Sequence, residues 1–189
     1  MAKTFLDETQ EREWVGEQLE GTDKNVGYFT QISDSLVEAY TQDMDNLMRC
    51  IKADTVDTEP SDVVLEKYVL ELSNLLYFMG QRLESVGVKE DLSKLAAKEV
   101  YNNSYMDNLS RDGKKPTVAE LNTMAENDSK YETVINTIYS RAYRQIKYKS
   151  DAAYEMLSSL RKIISKRMQE YQLSYTRQNG GIVTGREEF

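Results

Sequence analysis

The chain has 189 residues, of which 30% are charged and 40% hydrophobic, and its formal net charge is −8. This length suits one domain, and the composition is typical of a helical protein with narrow apolar stripes. The sequence contains no histidine and one cysteine, so it lacks the usual general base near neutral pH and the ligands of a conventional zinc site. No serine or threonine has a plausible base, so we expect no enzymatic activity. We expect no cofactor, and we expect no metal site because Asp43 and Asp45, with Asp34 and Glu38 upstream, lack the loop glycine and ligand spacing of an EF-hand.

The single cysteine, Cys50, lies in LMRCIKA on a predicted apolar stripe, so we expect a buried structural thiol. One cysteine excludes an internal disulfide framework and is typical of a reducing compartment. The start of the chain, MAKTFLDETQEREW, has no apolar core of signal-peptide length. The most apolar run, YVLELSNLLYFM, is too short to span a membrane. These features predict a cytoplasmic protein without a membrane partner.

Charge divides the chain into an acidic front half and a basic rear half. Residues 1–60 hold five Lys/Arg against fourteen Asp/Glu, a net of −9, and residues 61–110 hold five against eight, a net of −3. Residues 111–170 hold twelve against eight, a net of +4, and the remainder is neutral. This division of charge describes a polarised molecule.

Residues 1–60 are predicted to be an acidic helical arm. Its first helix covers about 7–20 and ends at Gly21, with Trp14 as its anchor. A second helix covers about 27–53, because apolar residues recur there at spacings of three and four. Its stripe consists of Phe29, Ile32, Leu36, Tyr40, Met44, Leu47 and Ile51. The stretch DTVDTEP then reads as a linker, since proline restricts the chain.

Residues 61–175 are predicted to form a helical hairpin followed by a long basic helix. Ser61 or Asp62 caps a helix to about residue 85, Gly87 ends it, and another helix covers about 89–109. The few residues between these two helices imply an antiparallel hairpin. The stripe of the first consists of Val64, Tyr68, Leu72, Leu75, Met79 and Leu83, and that of the second of Leu92, Leu95, Ala96, Val100 and Tyr105.

A capping box follows the polar turn RDGKKP. Thr117 and Glu120 have the spacing at which each side chain bonds the other residue's backbone amide. Two forms of the next segment are compatible with the sequence: one helix over about 118–175, or a helix broken near residue 128, where Ser129 and Glu132 offer a second capping box. Residues 176–189 are predicted to be a flexible tail.

The fold class is therefore predicted to be all-α, an elongated helical bundle with an antiparallel hairpin packed on a long C-terminal helix. A single long amphipathic helix leaves apolar surface that short partners do not cover. We therefore expect a homo-oligomer with coiled-coil contacts.

The stretch SRAYRQIKYKSDAAYEML, residues 140–157, carries the candidate binding surface. Between residues 141 and 167 there are eight Lys/Arg and two Asp/Glu, a net of +6. At 100° per residue the apolar stripe consists of Ile135, Ile138, Ala142, Ile146, Ala153, Met156, Leu160, Ile163 and Ile164. Cations occupy the opposite side. Cations neutralise phosphates and tyrosine rings stack on unpaired bases, so this pattern favours single-stranded nucleic acid.

The candidate nucleic-acid or partner-binding residues are Arg141, Tyr143, Arg144, Lys147, Tyr148, Lys149, Lys162 and Lys166. Two alternatives stay open. The face is simply solvated, with Asp151 pairing Lys147 at i,i+4, or it meets the acidic front half, within one chain or between subunits. Lys149 and Arg167 fall on the apolar stripe, which calls for snorkelling, a bent helix or a partner carboxylate.

Residues 65–170, from LEKYVLELSNLLYFMGQRLESVGVKEDL to SRAYRQIKYKSDAAYEMLSSLRKIISKRMQEY, resemble the UvsY-like recombination mediator family of tailed phages. The resemblance is one of layout: a helical hairpin, a polar turn, a capped entry and a long helix. It implies an oligomer that binds single-stranded DNA and loads a RecA-like recombinase, with Arg141, Arg144, Lys147 and Lys149 as the basic positions. A phage protein of this kind would act in the host cytosol.

The acidic arm and the negative net charge depart from that family. The arm is then hypothesised to dock the recombinase or to inhibit DNA binding. The alternative function is a helical structural or interaction protein, such as a virion component or an inhibitor of a host protein, that acts through the acidic arm.

Overall fold

The computed structural model describes residues 26–56, 59–110 and 116–180. These residues form four α-helices and no strand: α1 (Val26–Val56), α2 (Asp62–Leu109), α3 (Val118–Asp128) and α4 (Lys130–Gly180). The predicted all-α class is confirmed. The helix predicted over 7–20, together with Trp14, lies outside the described residues.

The chain divides into two compact units that each combine separate stretches of sequence. In its described part, the first unit contains residues 26–42, 78–110 and 116–149. The second contains residues 43–56, 59–77 and 150–180.

In the first unit, contacts between side chains give the helix directions. Asp34 and Thr41 of α1 contact Arg141 and Lys149 of α4 respectively, so these two helices run in the same direction. Ser93 of α2 contacts Asn136, and Gly87 lies against Tyr143, so α2 runs antiparallel to α4. The buried apolar residues of this unit are Ile32, Leu36, Val37, Tyr40, Met79, Val86, Leu121, Ala125, Ile135, Ile138, Tyr139, Ala142 and Ile146.

The predicted helix end at Gly87 is wrong, because α2 continues without interruption to Leu109. The antiparallel hairpin is consequently formed by α2 and the segment that follows the polar turn, and not by two halves of α2. Continuity also fixes the rotation of the second half of α2. The face of α2 that buries Leu72 and Met79 recurs every seven residues and therefore buries Ser93. Leu92 and Leu95, which were predicted to lie in the core, consequently point outward, with 57% and 62% of their surface exposed.

Polar pairs fill the resulting contact between α2 and the segment after the turn. The Ser93 hydroxyl lies 3.3 Å from the Asn136 side-chain oxygen. The Tyr101 hydroxyl donates to Asn122 at 3.1 Å. Because buried polar groups are tolerated when they are paired, these hydrogen bonds allow the polar face of α2 to lie inward.

The capping box at Thr117 is confirmed. The Glu120 amide donates to the Thr117 hydroxyl at 3.3 Å, and the Thr117 amide donates to the Glu120 carboxylate at 2.7 Å. The bonds from the backbone amide and the hydroxyl of Thr117 lower the pKa of the Glu120 carboxyl. The cap therefore contributes stability that is present above the ordinary pKa of a glutamate and is lost as the pH falls through the lowered value.

Of the two forms compatible with the sequence, the structure has the broken helix. The interruption is Ser129, with φ −86° and ψ 0°, where α3 ends and α4 begins. The Ser129 amide still donates to Ala125 at 3.0 Å, and the Thr133 amide donates to Ser129 at 3.0 Å, so the hydrogen bonding passes through the break. At its other end α4 includes residues 176–180, which were predicted to be flexible, and the rest of the tail lies outside the described residues.

The second unit has its own apolar core and a polar contact between α1 and α2. The buried residues are Met44, Leu47, Ile51, Leu65, Tyr68, Leu72, Leu76, Ala153, Leu157 and Leu160. The Tyr68 hydroxyl donates to the Asp54 carboxylate. The predicted burial of Cys50 is wrong: Ile51 is buried at this point of α1, and one residue corresponds to a rotation of 100°, which leaves the thiol exposed.

Candidate nucleic-acid interface

Burial of one apolar face sets the rotation of α4 in the first unit. Ile138, Ala142 and Ile146 are all buried against the other helices of this unit. Residues on the opposite side must therefore face solvent, and Arg144, Lys147 and Tyr148 are exposed, Tyr148 with 75% of its surface. This is the arrangement that the periodicity predicts.

The cations at the centre of this surface are available to a ligand. The Arg144 Nε atom donates to the carbonyl of Ser140 in its own helix at 3.2 Å, and the Arg144 side chain is exposed. Within the described part of the chain, neither Arg144 nor Lys147 forms an ion pair. Ion pairs with described residues therefore do not neutralise their positive charges.

Two of the predicted binding residues instead contact α1. Arg141 lies 3.4 Å from the Asp34 carboxylate, and both side chains are about half exposed. Lys149 donates to the hydroxyl of the buried Thr41 at 2.9 Å. A contact between the basic helix and the acidic front half, one of the alternatives that the sequence leaves open, is therefore present at Arg141. The hydroxyl of Thr41, a group of the same chain, accounts for the position of Lys149 near the apolar stripe.

Tyr143 packs against α2 and is only partly accessible. A Cβ atom on Gly87 would lie 3.3 Å from Cε2 of the Tyr143 ring, so the two helices approach closely because residue 87 has no side chain. In the first unit, Tyr148 is consequently the better-exposed of the two predicted tyrosines, and an exposed aromatic ring is suited to stacking on a base.

A shallow groove of about 480 Å³ runs beside this tyrosine. It is lined by Arg141, Arg144, Gln145, Tyr148 and Lys149. Three cations around one aromatic ring are suited to an anionic ligand that also presents a planar group, such as a nucleotide.

The second unit carries the remaining predicted residues. Lys162 is exposed, and Lys166 lies 3.7 Å from the Glu170 carboxylate one turn later. A second shallow groove, of about 400 Å³, is lined by Tyr154, Leu157, Ser158, Arg161, Lys162, Ser165, Lys166 and Gln169. Arg161 belongs with these cations although the sequence did not single it out; its spacing of seven residues from Tyr154 was the available signal.

Arg167 is structural in this arrangement. Its guanidinium donates to the carbonyl of Pro60 at 2.6 Å, to Asp62 at 3.0 Å and to Glu59 at 3.2 Å. The side chain is 24% exposed. Carboxylates of the same chain thus explain a cation beside the apolar stripe, and they hold the start of α2 against α4 within the second unit.

Comparisons with protein-family models, with curated proteins and with solved structures found no match to this chain. In the described ranges, none of the helices has an apolar stretch able to cross a membrane. The same ranges contain no cluster of three or more acidic or thiol side chains placed to hold a metal ion.

Proposed function

We propose that the chain binds single-stranded DNA through Arg144, Lys147 and Tyr148 and acts as a non-enzymatic accessory of recombination by a RecA-like recombinase. The observation that carries the DNA-binding step is the exposure of two cations without ion pairs next to an exposed tyrosine ring. The recombination step is supported by the resemblance of residues 65–170 to UvsY-like mediators.

The chemistry of this surface suits an unpaired strand better than a duplex. Each cation that neutralises a phosphate releases counterions, and each base that leaves a duplex exposes a face for stacking. A tyrosine ring accepts any base, so the surface binds without sequence preference. The negative charge of the whole chain makes affinity depend on this local patch and on low ionic strength.

Fluorescence anisotropy with a labelled oligo-dT tests the binding step. Removing both cations, in Arg144→Ala with Lys147→Ala, should weaken binding. It should also make the slope of log K against log salt shallower by about 1.4, because each single-strand phosphate that is no longer neutralised changes the slope by about 0.7. The matched control is Lys94→Ala with Lys130→Ala, which removes two exposed lysines from other surfaces of the same unit. The control should retain the slope of the unmodified chain.

Tyr148 separates stacking from charge. Tyr148→Ala should lose about 1–3 kcal/mol of binding free energy, and Tyr148→Phe should retain it because the ring is kept. The proposed surface would be contradicted if Tyr148→Ala and Tyr148→Phe lost the same affinity for oligo-dT. It would also be contradicted if the Arg144→Ala, Lys147→Ala variant and its lysine control lost the same affinity. A chain that does not bind oligo-dT at low salt would exclude DNA binding altogether.

The recombination step needs its own assay. On single-stranded DNA covered by a single-strand-binding protein, the chain should increase the DNA-dependent ATPase rate of a RecA-like recombinase. The Arg144→Ala, Lys147→Ala variant should not do so. Normal DNA binding without any effect on the recombinase would refute the mediator role and leave the DNA-binding role intact.

The second candidate is a structural or interaction protein, such as a virion component or an inhibitor of a host protein, that acts through its acidic arm. The contact of Arg141 with Asp34 favours it, because it shows an acidic residue of α1 already serving as partner to the basic helix. In that case the unmodified chain should bind no DNA, and Arg144→Glu with Lys147→Glu should dissociate the oligomer.

A further inference from the structure

The second half of α2 presents an apolar stripe to solvent in the first unit. It consists of the exposed residues Val88, Leu92, Leu95, Met106 and Leu109. The face that α2 buries, which includes Val86 and Ser93, lies on the opposite side of the helix. The most apolar face of this segment is thus turned away from the core of its own unit.

The spacing of the stripe is that of a coiled coil. Val88, Leu92 and Leu95 follow at intervals of four and three, and Met106 and Leu109 resume the same columns two heptads later. This alternation is the pattern by which one helix packs along another through a narrow apolar seam. The occupant that fits it is another helix.

Charges along one edge of the stripe identify that helix. Asp91 and Lys98 are seven residues apart, so they lie on the same edge with opposite signs, and both are exposed. Neither forms an ion pair with a described residue. An edge that carries one charge of each sign is complementary to its own copy turned by a two-fold axis.

We propose that the part of this stripe around Leu92 and Leu95 binds the same part of a second copy of the chain, with the two α2 helices antiparallel. A two-fold axis between Leu92 and Leu95 sets Leu92 of each copy against Leu95 of the other. It also brings Asp91 of each copy beside Lys98 of the other. A parallel pair would instead set Glu99, one heptad after Leu92, against its own equivalent, and like charges there oppose pairing.

Sedimentation equilibrium of the full-length chain tests the stripe. Leu92→Gln with Leu95→Gln should raise the dissociation constant at least tenfold. The control, Val118→Gln with Met124→Gln, removes two exposed apolar side chains of α3 and should leave the constant unchanged. A chain that stays at its monomer mass of 21.8 kDa, as it would if its own residues covered the stripe, overturns the proposal. Equal dissociation constants for the Leu92→Gln, Leu95→Gln variant and for the control also overturn it.

Charge reversal tests the edge. Asp91→Lys should weaken association, because it meets Lys98 of the other copy, and adding Lys98→Asp should restore it. A double variant as weak as the single one contradicts the predicted ion pairs.

Cross-linking tests the orientation. Asp91→Cys and Lys98→Cys are made separately in a Cys50→Ser background, since Cys50 is exposed. With a short bismaleimide, the mixture should cross-link better than either variant alone. In this register the unlike positions lie about 3 Å apart along the axis, against about 7.5 Å for residue 91 and its equivalent and about 13.5 Å for residue 98 and its equivalent. Cross-linking that is equal in the mixture and in the separate variants refutes the antiparallel register.

Discussion

The two glycines inside α2 give opposite responses to the same substitution. Gly80 and Gly87 both lie within the helix, and neither has the left-handed backbone that glycine alone tolerates. A Cβ atom added at Gly80 meets nothing within 4 Å. One added at Gly87 would lie 3.3 Å from the Tyr143 ring. Gly80→Ala therefore measures helix propensity alone, and Gly87→Ala measures propensity against crowding.

The expected magnitudes follow from this difference. Alanine is about 0.8–1.0 kcal/mol more favourable than glycine in a helix interior, so Gly80→Ala should stabilise the protein by about that amount. For a chain of this length, 1 kcal/mol corresponds to a rise of about 2–4 °C in melting temperature. At Gly87 the ring must move by a few tenths of an ångström, and crowding of about 1 kcal/mol or more offsets the same gain. Gly87→Ala should therefore bring no stabilisation.

Urea unfolding followed by circular dichroism measures both effects. The decisive comparison places Gly87→Ala in a Tyr143→Leu background, where the crowding atoms are absent. There the substitution should recover a stabilisation of about 1 kcal/mol. If residue 87 instead ended a helix in a left-handed conformation, alanine would cost about 1–2 kcal/mol in both backgrounds. That result would refute a continuous α2.

Three further substitutions test contacts of the structure. Arg167→Ala should lower the free energy of unfolding by about 1 kcal/mol, since the side chain loses three hydrogen bonds to partners that are largely solvated. The neighbouring variant Lys166→Ala should change that free energy by less than about 0.5 kcal/mol. Equal effects of the two variants would contradict the structural role of Arg167. The hydrogen bond to Asp54, and then burial, raise the pKa of Tyr68 to about 12 from 10.0. The unmodified chain should therefore have a larger free energy of unfolding than Tyr68→Phe, by an amount that is constant below pH 10 and disappears as the pH rises to about 12. A difference in unfolding free energy that does not change with pH would argue against this hydrogen bond. Thr117→Ala should cost about 1 kcal/mol in thermal unfolding because α3 loses its N-cap, and an unchanged midpoint would show that the cap contributes nothing.

Local signals in the sequence predicted local structure well. The capping box at Thr117 involves residues three apart, and the apolar stripe of α1 recurs every three or four residues, so both are visible without knowledge of the fold. Gly87 was misread because a glycine also occurs inside a helix when another helix approaches closely. The ring that requires it, Tyr143, is 56 residues away in sequence, and no local pattern connects the two. The error then placed Leu92 and Leu95 on the wrong face.

The candidate site shows the same limit. Periodicity along α4 was sufficient to predict that Arg144, Lys147 and Tyr148 face solvent, because burial of the opposite face decides it. It did not separate them from Arg141, whose partner Asp34 is 107 residues away. A helical wheel shows which side a residue faces on its own helix. It does not show which neighbouring helix supplies a counter-charge.

The proposed DNA surface and the proposed pairing surface do not compete for the same residues. In the first unit α2 turns its buried face toward the segment that contains α4, so its apolar stripe, on the opposite side of α2, faces away from that packing contact. The proposed pairing uses neither Lys147 nor Tyr148. Pairing then joins two DNA surfaces in one particle, and two linked sites bind one strand more tightly than either alone. The Leu92→Gln, Leu95→Gln variant should therefore bind short oligo-dT normally and long oligo-dT more weakly than the unmodified chain; an equal loss on both lengths would mean that the stripe itself contacts DNA.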